Sequence, residues 1–336
     1  MKRGIAMPKN KKPKLPQLLD RKIYKSGQTR GADDDEIYQN RVGRTSTVLI
    51  PFQFWDNSLR KLVSDGFFEA GYIVLIKPEE YFARSNPSEE LKSVDLTLGE
   101  NALVFYETRM QWNNHNPEKM GWKYANSRTA PLGGKYIARI PATTAVNEGG
   151  KIIRGFSETS MKGAGIRLYE YATSENVKMC RLQLEAQYWL CYDSVEAAMN
   201  FGMSESEAIQ RKELSLAEAS QNELLDYKKL QEARILNTDN ETICPLCLER
   251  ISGYGFYSRL AQAEGREVPD LTVTEINLFH IKELRYGSYN HCPFNLGWGH
   301  HHCNVVVKDS GILPTLNWMK RVIDRNIDFG VSFEEN

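Results

Sequence analysis

The chain has 336 residues, 41% hydrophobic and 26% charged, a composition typical of a folded globular protein and not of a disordered one. Its 43 Lys and Arg balance its 43 Asp and Glu, so net charge argues neither for nor against a nucleic-acid partner. The sequence has no run of about 18 apolar residues, so it predicts no membrane-spanning helix. Its basic N-terminus lacks the apolar segment of a secretory signal. We therefore expect a cytoplasmic protein with two domains, or with one large domain and an appendage.

A basic arm opens the chain. Residues 1–31 contain ten Lys or Arg and a single acid, Asp20. Such arms often follow the phosphates of a duplex, because cation binding releases counterions from nucleic acid; the alternative is a solvated, disordered tail. We assign residues 1–45 to this arm and expect its acidic run, Asp33–Glu36, to be a solvated helix start and not a metal site.

Residues 46–203 are predicted to form a mixed α/β domain. Short segments that are rich in β-branched and aromatic residues and bounded by Gly, Pro or Asn predict strands. Three segments fit this description: STVLIPF, GYIVLIKPEEYF and NALVFYETRMQW. The stretches 58–66 and 88–95 have a helical pattern instead.

The stretch 107–167 is predicted to contact DNA. It combines Trp, Tyr and Asn with Arg, Lys and many Gly. Long polar loops of this kind carry the side chains that bind phosphates and base edges. The predicted contact residues are Arg109, Asn113, Asn114, Arg128 and Lys135.

Residues 204–234 contain neither Gly nor Pro and are predicted to form a helix of about 30 residues. Ser204 and Glu207 fit a capping box at its start. We assign 204–238 to a helical connector, which would serve either as a spacer between domains or as a dimerisation element.

The region 239–336 contains most of the metal-binding side chains. Five of the six histidines lie between His280 and His302. Cys244 and Cys247 form C-P-L-C, and His300 and Cys303 form H-x-x-C with the same spacing. Two such halves supply four soft ligands in the tetrahedral arrangement of a structural Zn²⁺ site.

The other cysteines are weaker candidates. Cys292 has no partner at the two-residue spacing and ranks behind the four predicted zinc ligands. Cys180 and Cys191 stand in the apolar stretch MCRLQLEAQYWLCY and are expected to be small buried side chains.

The motifs of this region resemble the HNH endonucleases, which have the ββα-metal fold. The resemblance covers about residues 240–310: C-x-x-C, a strand histidine at His280, N-L at Asn295 fifteen positions later, and H-x-x-C-N ending at Asn304. It implies that His280 is the general base that activates water. It also implies that Asn295 orients the base or shapes the loop, and that Asn304 is a ligand of a catalytic Mg²⁺.

Two positions depart from the HNH pattern. Phe279 stands where an Asp or His usually binds the catalytic metal, and Lys308 stands where another His is often found. Further ligands would come from His291, the first choice, or from His301, Glu283 or a backbone carbonyl. Lys308 would instead contact a DNA phosphate.

The stretches RGADDDEIYQNRVGR and NLGWGHHHCNVVVKD also resemble Type II restriction endonucleases of the BstXI kind. That resemblance implies a homodimer that cuts a palindromic or interrupted-palindromic duplex site. The expected fold is α+β: an N-terminal mixed α/β DNA-recognition region, a long connecting helix and a C-terminal zinc-stabilised ββα-metal nuclease module.

Two alternatives remain open from the sequence. The first is a zinc-stabilised DNA-binding protein without catalysis, which Phe279 and Lys308 would suit. The second is an HNH nuclease directed at modified DNA, in which Trp112, Trp122 and Tyr124 would hold a flipped base.

Overall fold

The computed structural model describes residues 12–29, 42–140, 152–156, 165–259, 274–308 and 310–332. The acidic run predicted at Asp33–Glu36 lies outside these ranges. The chain forms two compact units. The first, here the hairpin unit, comprises residues 1–27, 175–285 and 290–336, and the second, here the sheet unit, comprises residues 28–174 and 286–289.

The secondary structure mixes helices and strands, as predicted. The α-helices of the described residues are α1 (Gln17–Lys25), α2 (Asn57–Ser64), α3 (Pro78–Phe82), α4 (Pro87–Lys92), α5 (Arg109–Asn114), α6 (Ser174–Trp189), α7 (Ser194–Asn200), α8 (Glu205–Gln221), α9 (Tyr227–Glu232), α10 (His301–Val307) and α11 (Ile312–Asp328). The strands are β1 (Gln28–Thr29), β2 (Val42–Gly43), β3 (Val48–Pro51), β4 (Tyr72–Ile76), β5 (Ala102–Tyr106), β6 (Tyr136–Ile140), β7 (Ile152–Arg154), β8 (Ile166–Arg167), β9 (Ile276–His280) and β10 (Leu296–His300). Within the described ranges, no helix has both the length and the apolar character needed to cross a bilayer.

A six-stranded sheet lies at the centre of the sheet unit. Its strand order is β7-β6-β5-β4-β3-β8, and all neighbours are parallel except the antiparallel pair β6–β7. The second and third predicted strand segments are strand only in their first halves, because helices α3 and α5 begin in their second halves. Strands β3, β4 and β5 confirm the remainder of the three strand predictions. Their apolar residues run continuously because a parallel sheet is covered on both faces, and every residue of β6 is buried.

Helices α2 and α4 match the two stretches with a helical pattern. Helix α2 begins after Asp56, whose side chain accepts a hydrogen bond of 2.8 Å from the Leu59 N–H. Helix α4 begins at Pro87, a residue suited to the first helical position because it has no N–H to satisfy.

A four-residue segment from the loop between β9 and β10 belongs to the sheet unit. The ring of Tyr286 stacks on Phe54 with centroids 3.9 Å apart, and Tyr289 packs edge-on against Phe67 at 4.9 Å. Residues 286–289 therefore add aromatic side chains to a unit whose other residues all lie between 28 and 174.

Helix α6 is the central helix of the hairpin unit. Nine of its sixteen residues are buried, including the polar residues Gln183, Glu185 and Gln187. Glu185 forms an ion pair with Arg211 of α8, with Nε and Oε1 2.7 Å apart. Cys180 and Cys191 are 1% and 2% exposed, as predicted for small buried side chains.

The predicted single helix over 204–234 is wrong, because the structure has two helices there. The capping box is confirmed: the Ser204 hydroxyl accepts from the Glu207 N–H, and the Glu207 carboxylate accepts from the Ser204 N–H. Helix α8 ends at Gln221, and Glu223 has a φ of 57°, a left-handed conformation that ends a helix. Leu224 and Leu230 are buried, so this stretch is packed into the hairpin unit.

Helix α1 packs part of the predicted basic arm into the core of the hairpin unit. Leu19 and Ile23 are buried in that core. Lys22 is 8% exposed, and its Nζ donates a hydrogen bond of 2.6 Å to the carbonyl of Ile276 at the start of β9. Burial, helped by the nearby charge of Lys25, lowers the pKa of Lys22 to about 7. Lys22 therefore packs against a strand and does not present its amine to a phosphate.

We expect the free energy of unfolding to rise with pH above neutrality because of Lys22. The unfolded chain restores the ordinary lysine pKa of 10.5, so unfolding takes up a proton between these two pKa values. Chemical unfolding at about pH 7 and about pH 9 should show the native chain gaining about 2 kcal/mol more than Lys22→Met, which has no titrating amine. The same pH dependence in both proteins would contradict a neutral, buried Lys22.

Candidate functional site

The first half of the predicted metal site is a tight turn that contains Cys244 and Cys247. The Cys244 N–H donates to the Glu249 carbonyl at 2.9 Å, and the Leu248 N–H donates to the Cys244 carbonyl at 2.9 Å. Leu248 has a φ of 66°, which allows the chain to reverse within a few residues. The turn therefore holds both thiols on the same side of the chain, toward the second half of the site.

The second half comes from the junction of β10 and α10. His300 is the last residue of β10, and Cys303 lies in the first turn of α10. The donor atoms of Cys244, Cys247, His300 and Cys303 all lie within 4.8 Å of one another. The structure thus brings the four predicted ligands together, with two cysteines buried and Cys247 exposed. Four soft donors at this separation suit a tetrahedral metal ion.

The thiols of this cluster titrate differently from one another. Burial, followed by repulsion from Cys244, raises the pKa of Cys303 well above its ordinary value. Burial also raises the pKa of Cys247. Burial opposes ionisation of Cys244 too, but hydrogen bonds from His300 and from the backbone hold its pKa at about 6. Three neighbouring thiolates repel one another, so a bound cation is what makes their joint ionisation favourable.

The segment between the two halves ends in an antiparallel hairpin followed directly by α10. His280 of β9 pairs with Leu296 of β10, and the elements follow one another as strand, loop, strand and helix. A Cβ built on Gly299 would lie 2.7 Å from Cδ2 of Phe279. A residue with a side chain at position 299 would therefore clash with the Phe279 ring. Phe279 is fully buried and has no donor atom, so it contributes no metal ligand.

Asn295 closes the loop between the two strands. Its Oδ1 accepts from the Lys282 N–H at 2.7 Å, and its Nδ2 donates to the carbonyls of Lys282 at 3.1 Å and Asn290 at 2.6 Å. The side chain is buried and bonds both flanks of the loop. These contacts join the two flanks of the loop.

His280 and His291 are in direct contact. Nε2 of His280 lies 3.2 Å from Nδ1 of His291, and the ring centroids are 5.5 Å apart. His280 is half-buried at the end of β9, and His291 is fully buried. At this distance one nitrogen carries the hydrogen and the other accepts it, so the tautomer of each ring depends on the other.

Two of the remaining residues considered for a catalytic cation make side-chain contacts of their own. Asn304 is half-buried on α10. Nδ1 of His301 lies 3.1 Å from Nδ2 of Asn277, and Glu283 forms an ion pair with Arg285. Among the His, Cys, Asp and Glu side chains that the structure describes, the Cys–His cluster is the one group of three or more whose donor atoms converge.

The predicted DNA contacts lie in both units, and all except Arg109 are exposed. In the sheet unit, Asn113 and Asn114 are exposed on the short helix α5, whose first residue is the half-buried Arg109. Arg128 and Lys135 are exposed before β6, and Nζ of Lys135 lies 5.7 Å from the ring centre of Trp122. In the hairpin unit, Lys308 is exposed at the C-terminal end of α10.

The prediction that Trp112 holds a flipped base is wrong, because this residue is part of the core. Trp112 is 7% exposed and packs edge-on against Tyr106 and Tyr136. Trp122 is half-buried and Tyr124 is 39% exposed, so these two rings remain accessible to a ligand.

Two buried glutamines form hydrogen bonds with the hairpin that the sequence did not predict. Gln183 accepts from the Phe294 N–H at 2.7 Å, and Gln187 donates to the Leu296 carbonyl at 3.0 Å. The available signal was a pair of amide side chains four residues apart in a largely apolar stretch. Such a pair marks one face of a helix.

Comparison with protein families gives one finding of wide coverage. The model of the BstXI restriction endonuclease family matches residues 21–301, which is most of the chain. Searches of curated proteins and of solved structures found no match. The chain belongs to the BstXI restriction endonuclease family, and this membership makes it a sequence-specific DNA endonuclease of Type II.

We expect Cys247→Ser to lose the metal ion of the Cys–His cluster and to destabilise the hairpin unit. Metal binding in such a site is coupled to folding, because the ligands converge only in the folded chain. Elemental analysis should find about one tightly bound ion per native chain and little in the variant, whose thermal unfolding should begin at a lower temperature.

Cys292→Ser is the matched control, since Cys292 lies in the same unit but outside the cluster. Native metal content and native melting in Cys247→Ser would refute the metal site.

Proposed function

We propose that this member of the BstXI restriction endonuclease family cuts DNA with an HNH-type ββα-metal module built from β9, β10 and α10. The observation that carries the proposal is His280 at the end of β9, in contact with His291 and followed by a loop that Asn295 closes. The Cys–His cluster supports the proposal, because two of its four donors come from the junction of β10 and α10 and a bound metal ion would hold that junction in place.

In the proposed reaction, His280 is the general base. It takes a proton from the water that attacks the scissile phosphorus, a contribution typically worth ~10²–10⁴ in rate. Its Nε2 faces His291, so the proton would be taken at Nδ1, on the opposite side of the ring. The contact favours His291 as the residue that orients the base, in place of the ligand role expected from the sequence. A third group that orients a base is a recurrent arrangement in hydrolytic sites.

Two metal ions are proposed, with separate roles. Zn²⁺ would bind Cys244, Cys247, His300 and Cys303, and these four protein ligands would leave no position open for water, so its role is structural. A divalent cation such as Mg²⁺, held in part by Asn304, would stabilise negative charge on the scissile phosphate. Mg²⁺ commonly completes its ligand set with substrate phosphate oxygens and water.

The DNA is proposed to contact both units. Lys135 and Arg128 would contact phosphates, and Asn113 and Asn114 would reach base edges with their amides. Lys308, at the end of α10, would contact a phosphate beside the cleaved bond. A homodimer is proposed because a two-fold symmetric site is matched by two-fold protein symmetry.

We expect His280→Ala to bind specific duplex DNA normally and to cut it at least about 100-fold more slowly, because the base is removed without disturbing the fold. Cleavage of a plasmid with Mg²⁺ or Mn²⁺ present, and with EDTA added, measures the rate and its metal dependence.

His302→Ala is a suitable control because His302 is an exposed neighbour in the same run of histidines. We expect it to cut at close to the native rate. Undiminished cutting by His280→Ala would refute the assignment of the base.

We expect Lys135→Ala to weaken binding to all duplexes about equally, because a phosphate contact carries no sequence information. The slope of log K against log salt should fall by about one. Fluorescence anisotropy at several salt concentrations measures both quantities. Lys61→Ala, which removes an exposed lysine of α2 in the same unit, should leave the slope unchanged. Equal slopes for Lys135→Ala and the native chain would remove Lys135 from the interface.

A further inference from the structure

We propose that Gln183 and Gln187 of α6 are positioning residues for the loop between β9 and β10, which contains His291 and Asn295. They would hold the backbone on both sides of Asn295, and so set the place of the His280–His291 pair. This inference rests on the proposed function, because it concerns the geometry of the same site.

Gln183 holds the residue that precedes Asn295. Its Oε1 accepts from the Phe294 N–H at 2.7 Å, while its Nε2 donates to the Leu224 carbonyl at 2.9 Å. The side chain is 1% exposed, so water does not replace either bond. Both ends of the amide are therefore engaged, and its orientation is determined by two separate backbone groups.

Gln187 holds the residue that follows Asn295. Its Nε2 donates to the Leu296 carbonyl at 3.0 Å, and the side chain is fully buried. The backbone carbonyl of Gln187 accepts from the Thr242 hydroxyl at 2.6 Å, two residues before Cys244. One turn of α6 is thus bonded both to the hairpin and to the chain that enters the Cys–His cluster.

The conformation of Phe294 gives an independent reason why the backbone needs to be held there. Phe294 has a φ of 64°, in the left-handed region that residues other than glycine rarely adopt. A residue persists in such a conformation when its surroundings fix it. The bond from Gln183 to the Phe294 N–H is one such restraint, and it acts one residue before Asn295.

A purely structural role is the simplest alternative, and Ser215 provides the matched control. Ser215 of α8 is 3% exposed, and its hydroxyl donates to Glu185, which lies between the two glutamines on α6. Ser215→Ala removes a buried hydrogen bond from the same helix without touching the hairpin backbone. It should lower stability and leave the cleavage rate close to native.

The test is single-turnover cleavage of pre-bound specific duplex by Gln183→Met, Gln187→Met and Ser215→Ala, at a temperature where all are folded. We expect each glutamine variant to cut about 10- to 100-fold more slowly, because small displacements of a catalytic loop are costly in rate. DNA affinity should stay within about threefold of native, and the metal content should be unchanged. Glutamine variants that cut as fast as Ser215→Ala would overturn the inference.

Gln183→Glu supplies a second test, which decides the matter if the methionine variants fail to fold. Burial favours the protonated carboxyl, whose carbonyl accepts from Phe294 and whose hydroxyl donates to Leu224 as the amide does. The cleavage rate relative to native should therefore be higher at about pH 6 than at about pH 8. A relative rate that does not change with pH would overturn the role of Gln183.

His280→Ala separates the two proposals. Normal cutting by His280→Ala refutes the proposed function itself. Slow cutting by His280→Ala, together with unimpaired glutamine variants, refutes only the role of α6.

Discussion

The hairpin of β9 and β10 depends on the hydrogen bonds that the buried polar groups of its loop make with one another. Fifteen positions separate His280 from Asn295, and a connection of that length ordinarily keeps its N–H and C=O groups in water. Here Asn295 is buried, and its carboxamide bonds to Lys282 and Asn290 in place of solvent. Because the two flanks of the loop are tied together, His280 and His291 lie within hydrogen-bonding distance at a fixed place. Without the hydrogen bonds of Asn295, the same order of strand, loop and helix would not by itself keep the two histidines in contact.

The buried polar side chains of α6 extend the same principle. A helix surrounded on nearly all sides cannot send its amides and carboxylates to water, so each needs a partner inside the unit. Glu185 finds Arg211, and the two glutamines find the backbone on either side of Asn295. Such partners tolerate little displacement, because a buried polar group left unbonded costs more than the bond contributes. A small displacement of α6 would therefore break several of these buried hydrogen bonds at once.

The sequence was informative where the relevant interactions are local. The Cys–His cluster follows from two short motifs with the same spacing, and strands β3, β4 and β5 follow from continuous apolar runs. The break after α8 was missed because Glu223 adopts a left-handed conformation without being glycine. The bonds from α6 to the hairpin join residues 109 and 111 positions apart, and no spacing rule reaches that far. The burial of Lys22, likewise, depends on what α1 packs against, which composition does not reveal.

Neither compact unit is a single stretch of chain. The polypeptide crosses between them after residues 27, 174, 285 and 289, so the hairpin unit includes α1 and the sheet unit includes Tyr286–Tyr289. Recombination that transplants a C-terminal fragment beginning at residue 175 would leave behind the apolar face of α1, with Leu19 and Ile23. It would also carry away the tyrosines that pack against Phe54 and Phe67. Two units interleaved in this way cannot be exchanged as independent segments. Changes of target sequence would then have to arise by substitution within the existing chain.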